Sequence, residues 1–364
     1  MPALRPITIV GGGLAGLTLG IGLRQNGIPL TVWEAGHYPR HRVCGEFISG
    51  RGQDVLARLG LLDAFRLAGA VPARTATFFL DRTASPVQAL SAPALCLSRF
   101  ALDALLARQF TASGGDLREN TRWAEECFAE SVMRADGRRR HLRENGPRWF
   151  GLKIHARNVP LTADLEMHRA PSGYVGFCRL AQGEVNICGL FRRAPGAPAS
   201  FRLSPSEPPE PSARHRSGPS AFREMAAPGT LLRERLDTAV FDERSFCSVA
   251  GICLRPHRAA ARSECCIGDA LTMTPPVTGN GMSMAFEAAE MAIAPLAAYS
   301  RGECSWVQAR QNIAAACDHA FATRLAWARC LQWMMLTPLL RGWSGALALR
   351  SVLLWRIVFA CTRQ

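Results

Sequence analysis

The chain has 364 residues, 48% of them apolar and 20% charged, with a formal net charge of +14. That balance excludes a disordered chain and gives enough length for two structural parts around sizeable cores. The positive charge does not by itself point to nucleic acid. Of 43 basic residues only Lys153 is a lysine, and no zinc-finger spacing, aromatic RNA-binding signature or heptad array accompanies the arginines. Thirteen cysteines are scattered without a Cys-x-x-Cys pair. With no signal peptide before the first strand, they read as reduced thiols in a cytoplasmic protein. Adjacent Cys265 and Cys266 read as small buried side chains of a strand rather than a strained vicinal disulfide.

The first element is the most informative. "ITIVGGGLAGLTLGIGLRQNGIPLTVWE" reads as a strand, a glycine turn, a helix, a second strand and a terminal acid. Gly11, Gly13 and Gly16 fit G-x-G-x-x-G, with Leu14 and Ala15 opening the helix. The first glycine allows the tight turn, the second admits a pyrophosphate, and the third lets helix and strand pack closely. The helix N-terminus offers free N–H groups to the phosphates. Glu34 stands where a carboxylate accepts hydrogen bonds from an adenosine ribose, so residues 7–34 predict dinucleotide binding.

Next comes "RHRVCGEFIS", with Arg42, Cys44 and Glu46, followed by an amphipathic helix "GQDVLARLGLLDAF". Two short strands, "RTATFFL" and "PVQAL", precede a helix over 98–113 that carries Arg99. "RADGRRRHLR" contains Asp136 and Gly137 in a turn. Residues 148–192 hold "RWFGLKIHA", "ADLEMHR", "GYVGFCRL" and "EVNICGLF", whose alternation predicts an antiparallel sheet with one buried face. Lys153, His155 and Tyr174 on these strands read either as substrate-facing groups or as sheet-edge and solvent-facing ones. Residues 194–220 are rich in Pro, Ser and Ala and read as a surface loop. A helix broken near Pro228 and a strand "FCSVAGICL" follow.

Strand "ECCI" then runs into Gly268 and Asp269, and "PPVTGNGMSMAFEAAEMA" opens a helix at Pro276, Gly279, Gly281 and Met282. A carboxylate at a strand end before a glycine-rich helix start points to a polar, anionic ligand. From Trp306 to Phe359 the chain is helical, and arginines interrupt its apolar runs. It reads as a lid on the nucleotide domain or as a basic amphipathic helix lying on anionic lipid, peripheral to the inner membrane face.

These motifs together resemble the FAD-dependent oxidoreductases typified by aromatic-ring hydroxylases and geranylgeranyl reductases. The resemblance covers most of residues 5–300 and implies an α/β fold, a Rossmann-like FAD-binding domain interleaved with an antiparallel β-sheet substrate domain and a helical C-terminus. The FAD domain would take residues 1–70, 98–147 and 263–300, the substrate domain 71–97 and 148–262, and the helical region 301–364. Arg99 resembles the family arginine that approaches the FAD pyrophosphate, and Arg42 would pair with a phosphate or with Glu34. Asp136 resembles an Asp-Gly fingerprint from which Arg134 and Arg140 depart. Gly268 and Asp269 resemble the motif that holds the ribityl chain. Gly279 and Gly281, with Pro276 and Met282, would bring backbone N–H groups to the flavin pyrimidine edge. Cys44 would run beside the flavin, or be an inert core cysteine. FAD is the implied cofactor and NAD(P)H the implied donor, with no metal. The implied reaction is hydroxylation of a lipophilic or aromatic small molecule. The alternatives are reduction of isoprenoid double bonds and a non-catalytic FAD-binding relative. The Trp-x-Trp-x-Ile-Pro signature of flavin halogenases is absent. Oligomeric state is left open.

Overall fold

The computed structural model describes residues 3–124, 129–138, 149–192, 218–252 and 254–336. The chain moves back and forth between two sheets. Strand β1 (Ile7–Val10), helix α1 (Leu14–Gln25) and β2 (Leu30–Trp33) start a parallel sheet. The chain leaves it through β3 (Phe47–Ile48), α2 (Arg51–Arg58), α3 (Leu62–Leu67), β4 (Val71–Leu80), β5 (Thr83–Ala84) and β6 (Gln88–Cys96). Helix α4 (Arg99–Ala112) returns it to β7 (Asp116–Arg118) and β8 (Val132–Arg134). It departs again through β9 (Trp149–Arg157), β10 (Leu165–Ala170), β11 (Gly173–Arg179), β12 (Val185–Arg192), α5 (Gly218–Met225), α6 (Leu231–Thr238) and β13 (Val240–Ile252). Strand β14 (Cys265–Cys266), α7 (Gly281–Ser300) and α8 (Trp306–Leu336) complete the described elements.

The parallel sheet has the order β14-β8-β1-β2-β7. Both of its faces are covered, so β1 carries buried Ile7, Ile9 and Val10 rather than a wet alternate face. Helix α1 is buried along almost its whole length because it packs against the sheet, α4 and α7 at once. The second sheet has the order β13-β9-β12-β11-β10-β4-β6-β3, with β5 added to β4. Its neighbours are antiparallel except β10 and β4, which run parallel, so the sheet is mixed rather than wholly antiparallel.

Period-two alternation sorts β9 between two environments. Leu152, Ile154 and Ala156 pack with Phe222, Leu232 and Leu236 of α5 and α6. Lys153 and His155 point the other way, toward residues 41–46 of the nucleotide domain. Both faces are therefore covered, and Lys153 and His155 are buried rather than sheet-edge or solvent-facing.

Some expectations are corrected. The single helix over 52–65 is two, α2 and α3, because Gly60 takes φ +69 and ends the first. Strand β13 begins at Val240, earlier than "FCSVAGICL" suggests. Helix α8 lies on α7, joined by a buried bidentate pair between Arg324 and Glu287 at 2.7 and 2.6 Å. The remainder of the C-terminal helical region, 337–364, and residues 194–217 of the Pro/Ser-rich loop lie outside the described residues, as does Arg140. No helix of the described residues is long and apolar enough to cross a membrane.

Candidate FAD site and a buried charged cluster

The carboxyl ends of β1, β2 and β8 meet at the glycine turn, where open α/β sheets place their ligands. Gly11 has φ +109, and a Cβ there would lie 2.4 Å from Asp136 Cα. A Cβ on Gly16 would lie 2.0 Å from the Gly11 carbonyl oxygen. Both glycines are needed for the chain to close on itself. Gly13 differs, because a Cβ there meets nothing within 4 Å. That open space at the N-terminus of α1 is where a pyrophosphate could approach. Leu14 and Ala15 are buried beneath it.

Glu34 accepts from the Gly12 N–H at 3.0 Å, the Gly36 N–H at 2.8 Å and Arg40 at 2.6 Å. Burial would raise its pKa, but those hydrogen bonds and the charges of Arg40 and Arg42 hold it below the ordinary carboxylate value. It is ionised and already well partnered, a brace for the glycine turn as much as an acceptor for a ribose. Tyr38 donates to the Gly12 carbonyl from the same side.

Arg42 pairs with Asp103 at 3.0 Å and approaches Glu34 at 3.6 Å. Arg99 grips the same Asp103 through two bonds of 2.7 and 2.9 Å, and its positive charge lies near the Cys44 thiol. Asp103 is fully buried and fixes both arginines, a role legible in the sequence only as an Arg-to-Asp i,i+4 spacing. Asp136 abuts Gly11 through its backbone, while its carboxylate is paired with Arg134.

Gly268 takes φ +61 and sits against Ala15 of α1, which brings the second motif onto the first. The Asp269 carboxylate is reachable by solvent yet hemmed in by protein, as at the floor of a cleft. That crowding raises its pKa, opposed by the charges of Arg99, Arg138 and Arg42. Gly279 takes φ +66, and a Cβ there would strike the Phe47 ring at 2.1 Å. Pro276 and Gly279 bound one short turn, and Met282 is buried in the first turn of α7. At Gly281, the first residue of α7, a Cβ meets nothing within 4 Å.

These features fit FAD. Two open helix starts, two anchored arginines and an Asp269 carboxylate that has no hydrogen-bond partner of its own among the described residues suit its phosphates and its sugar chain. Gly11, Gly13, Gly16, Arg42, Cys44, Arg99, Asp136, Gly268, Asp269 and Gly281 come to this region from five separate stretches of chain.

A second assembly lies directly behind Cys44. Glu46 is fully buried and has φ +62, a strained conformation for a non-glycine residue. Its carboxylate accepts from the Arg99 N–H at 2.9 Å and from His155 Nε2 at 2.7 Å, with Lys153 Nζ at 3.4 Å. Lys153 also donates to His41 Nδ1 at 2.9 Å, and His155 Nδ1 lies 3.3 Å from Glu184. Asn186 ties the substrate sheet to the same segment by donating to the Cys44 carbonyl at 2.9 Å.

Burial and the positive charges of Lys153 and His155 push the His41 pKa down to about 4, so the ring is neutral at neutral pH. Burial would lower His155 too, but hydrogen bonds to Glu184 and Glu46 overcome it and raise its pKa. His41, Glu46 and His155 offer three donor atoms within 4.8 Å of one another, a spacing that suits a metal ion. Lys153 Nζ stands against two of these groups, 2.9 Å from His41 and 3.4 Å from Glu46.

Residues 5–143 match the family model of the FAD binding domain. Solved structures with the same fold include the flavin-dependent brominase Bmp2 (TM-score 0.71, 15% identity, 99% of this chain and 95% of that one). PqsL, a probable FAD-dependent monooxygenase from Pseudomonas aeruginosa, aligns with TM-score 0.68 at 17% identity over 98% of this chain and all of that one. The myxobacterial chondrochloren halogenase CndH gives 0.69 at 16% over 99% and 91%. No curated protein matches the chain. The chain therefore carries an FAD binding domain, set in the α/β fold shared by flavin-dependent monooxygenases and halogenases.

Proposed function

We propose that the protein is an NAD(P)H-dependent FAD monooxygenase that hydroxylates a lipophilic or aromatic small molecule. The observation that carries the reading is the convergence of Gly268-Asp269 on the glycine turn, Arg42 and Arg99, which lie within the stretch that matches the FAD binding domain. Bound FAD would supply the redox chemistry, taking electrons from the nicotinamide and passing them on. The chain's own residues bind and orient. The α1 N-terminus and the Asp103-braced arginines suit the pyrophosphate. Asp269 suits the ribityl hydroxyls, and the α7 N-terminus favours negative charge at the flavin edge.

A lipophilic substrate is supported by the apolar cluster that Trp149, Tyr174 and Leu190 of the substrate sheet form with Val277 of the flavin-side turn and Leu331 of α8. Met167, Met273, Met334 and Met335 pack around it, an adaptable lining. Tyr174 is buried there, and its hydroxyl has no hydrogen-bond partner among the described residues, which suits one polar group on an otherwise apolar ligand.

One observation favours reduction of an isoprenoid alkene as the second reading. Burial raises the Cys44 pKa despite nearby Arg99, so its sulfur stays a thiol, a possible proton donor beside the cofactor cleft. The visible spectrum during anaerobic NADPH addition, followed by air, tests the proposal. Bleaching and recovery support it. Bound flavin that refuses NADPH favours the reductase or a non-catalytic relative, and no retained FAD would overturn both enzymatic readings.

A further inference from the structure

The chain uses arginine for every basic position but one, and that one lysine, Lys153, is fully buried behind the cofactor-lining segment. Arginine stays protonated at any ordinary pH, whereas lysine can release a proton. The groups around Lys153 form an unbroken line of proton carriers. Glu184, half-buried at one end, lies 3.3 Å from His155 Nδ1, and His155 Nε2 lies 2.7 Å from Glu46 Oε2. Glu46 Oε1 lies 3.4 Å from Lys153 Nζ, which lies 2.9 Å from His41 Nδ1. His41 stacks on Phe100 beside Arg99 and precedes Arg42, which puts it at the rim of the FAD cleft.

We propose that Glu184, His155, Glu46, Lys153 and His41 form a proton relay between solvent and the segment that lines the FAD cleft, with Lys153 as its transferring amine. The inference rests on the cleft being the FAD site, and its role in turnover rests on the oxidoreductase reading. The relay begins with Lys153 passing one N–H proton to His41 Nδ1, while His41 releases its Nε2 proton toward the cleft rim. The neutral amine takes a proton from the Glu46 carboxyl, which has received it on Oε2 from His155 Nε2 and turns to present it to Lys153. As His155 gives up its Nε2 proton, its bare Nδ1 takes one from Glu184, which has drawn it from solvent. Turns of the His155 and His41 rings and of the Glu46 carboxyl restore the starting arrangement, so one proton has crossed. The 3.3 and 3.4 Å steps need to close by only a few tenths of an ångström to reach hydrogen-bond length.

Other elements explain why the line is poised rather than locked. The charged groups facing it are Arg157 beside Glu184 and Asp242 of β13 opposite His41, one of each sign. Each group of the line that gives a proton receives another, so moving a proton along it changes no net charge.

Because Lys153 is the only lysine, labelling the protein with 15Nζ-lysine gives a single amine resonance. The expected result is exchange of the Lys153 protons with water far faster than burial alone allows, slowed severalfold in Glu184→Gln. A buried ammonium whose exchange is slow, or is unchanged by Glu184→Gln, overturns the relay whatever the enzyme does. A second measurement uses FAD-loaded protein reduced photochemically, without NAD(P)H or substrate, and follows the pH profile of its reoxidation by air. Lys153→Arg keeps the charge and loses the transferable proton, so its rate should fall on the order of 100-fold with a flattened pH profile while FAD stays bound. An unchanged rate and profile in a folded, FAD-retaining Lys153→Arg overturns the relay. Failure of the wild type to retain FAD overturns the function reading and leaves the lysine resonance as the test of the relay.

Discussion

The glycine turn after β1 and the charged cluster on β9 hold neighbouring ground in opposite ways. The turn is made of residues close together in sequence, and its function comes from side chains that are missing. Space left at Gly13 would admit a ligand, and backbone N–H groups would provide the contacts. The cluster joins Glu46, Lys153 and Glu184 from three distant stretches and works through side chains that are fully present and charged. Gly13 at the helix start is partly open to water, which can meet the N–H groups there. The centre of the cluster, Glu46, Lys153 and His155, is away from water, so every charge there must be met by another.

The difference gives its largest expected effect at Lys153. Lys153→Met should cost about 3 kcal/mol of unfolding free energy, because it leaves the fully buried Glu46 short of a cation. Urea unfolding measures it, and a loss below about 1 kcal/mol would mean that the cluster is wetter than it looks. Within the turn, Gly11→Ala should cost about 2 to 3 kcal/mol, since φ +109 and the clash with the Asp136 backbone add up. Gly13→Ala should leave stability within about 0.5 kcal/mol and still weaken FAD retention, because the added methyl points into open space. Equal effects of the two glycine substitutions on unfolding would erase the distinction between a folding glycine and a ligand glycine.

Asp269→Asn sharpens the comparison from the cleft side. Crowding disfavours the Asp269 carboxylate, so without cofactor the variant should melt at the same or a slightly higher temperature. FAD retention should fall. A lower melting temperature without FAD would show that Asp269 is structural. The smallest effects concern pH. His155 has a folded pKa above its ordinary 6.5, so its contribution is complete below pH 6.5 and disappears as pH rises through the folded value. His41 has a folded pKa of about 4, so the stability from keeping it neutral is present above pH 6.5 and is lost as pH falls toward 4. Glu34 behaves like an ordinary braced carboxylate, losing its contribution as pH falls below 4.5 through its folded value. The melting-temperature gap between wild type and His155→Asn should therefore narrow on going alkaline. A gap that widens would reverse the assigned protonation.

The sequence by itself determined the glycine turn, the terminal acid and the second motif at Gly268-Asp269, because each is a local pattern whose backbone requirements are written in a few adjacent residues. It determined the alternation of β9, and hence that Lys153 and His155 share a face. Only the tertiary structure decided that this face is covered. Alternation says which residues lie together, not what packs on them, and here segment 41–46 covers one face while α5 and α6 cover the other. The same holds for Asp103, whose spacing from Arg99 is an everyday helix pair until Arg42 arrives from another stretch of chain. Long-range burial turned a lone lysine into a charge that must be answered, and no window of adjacent residues contains its partners.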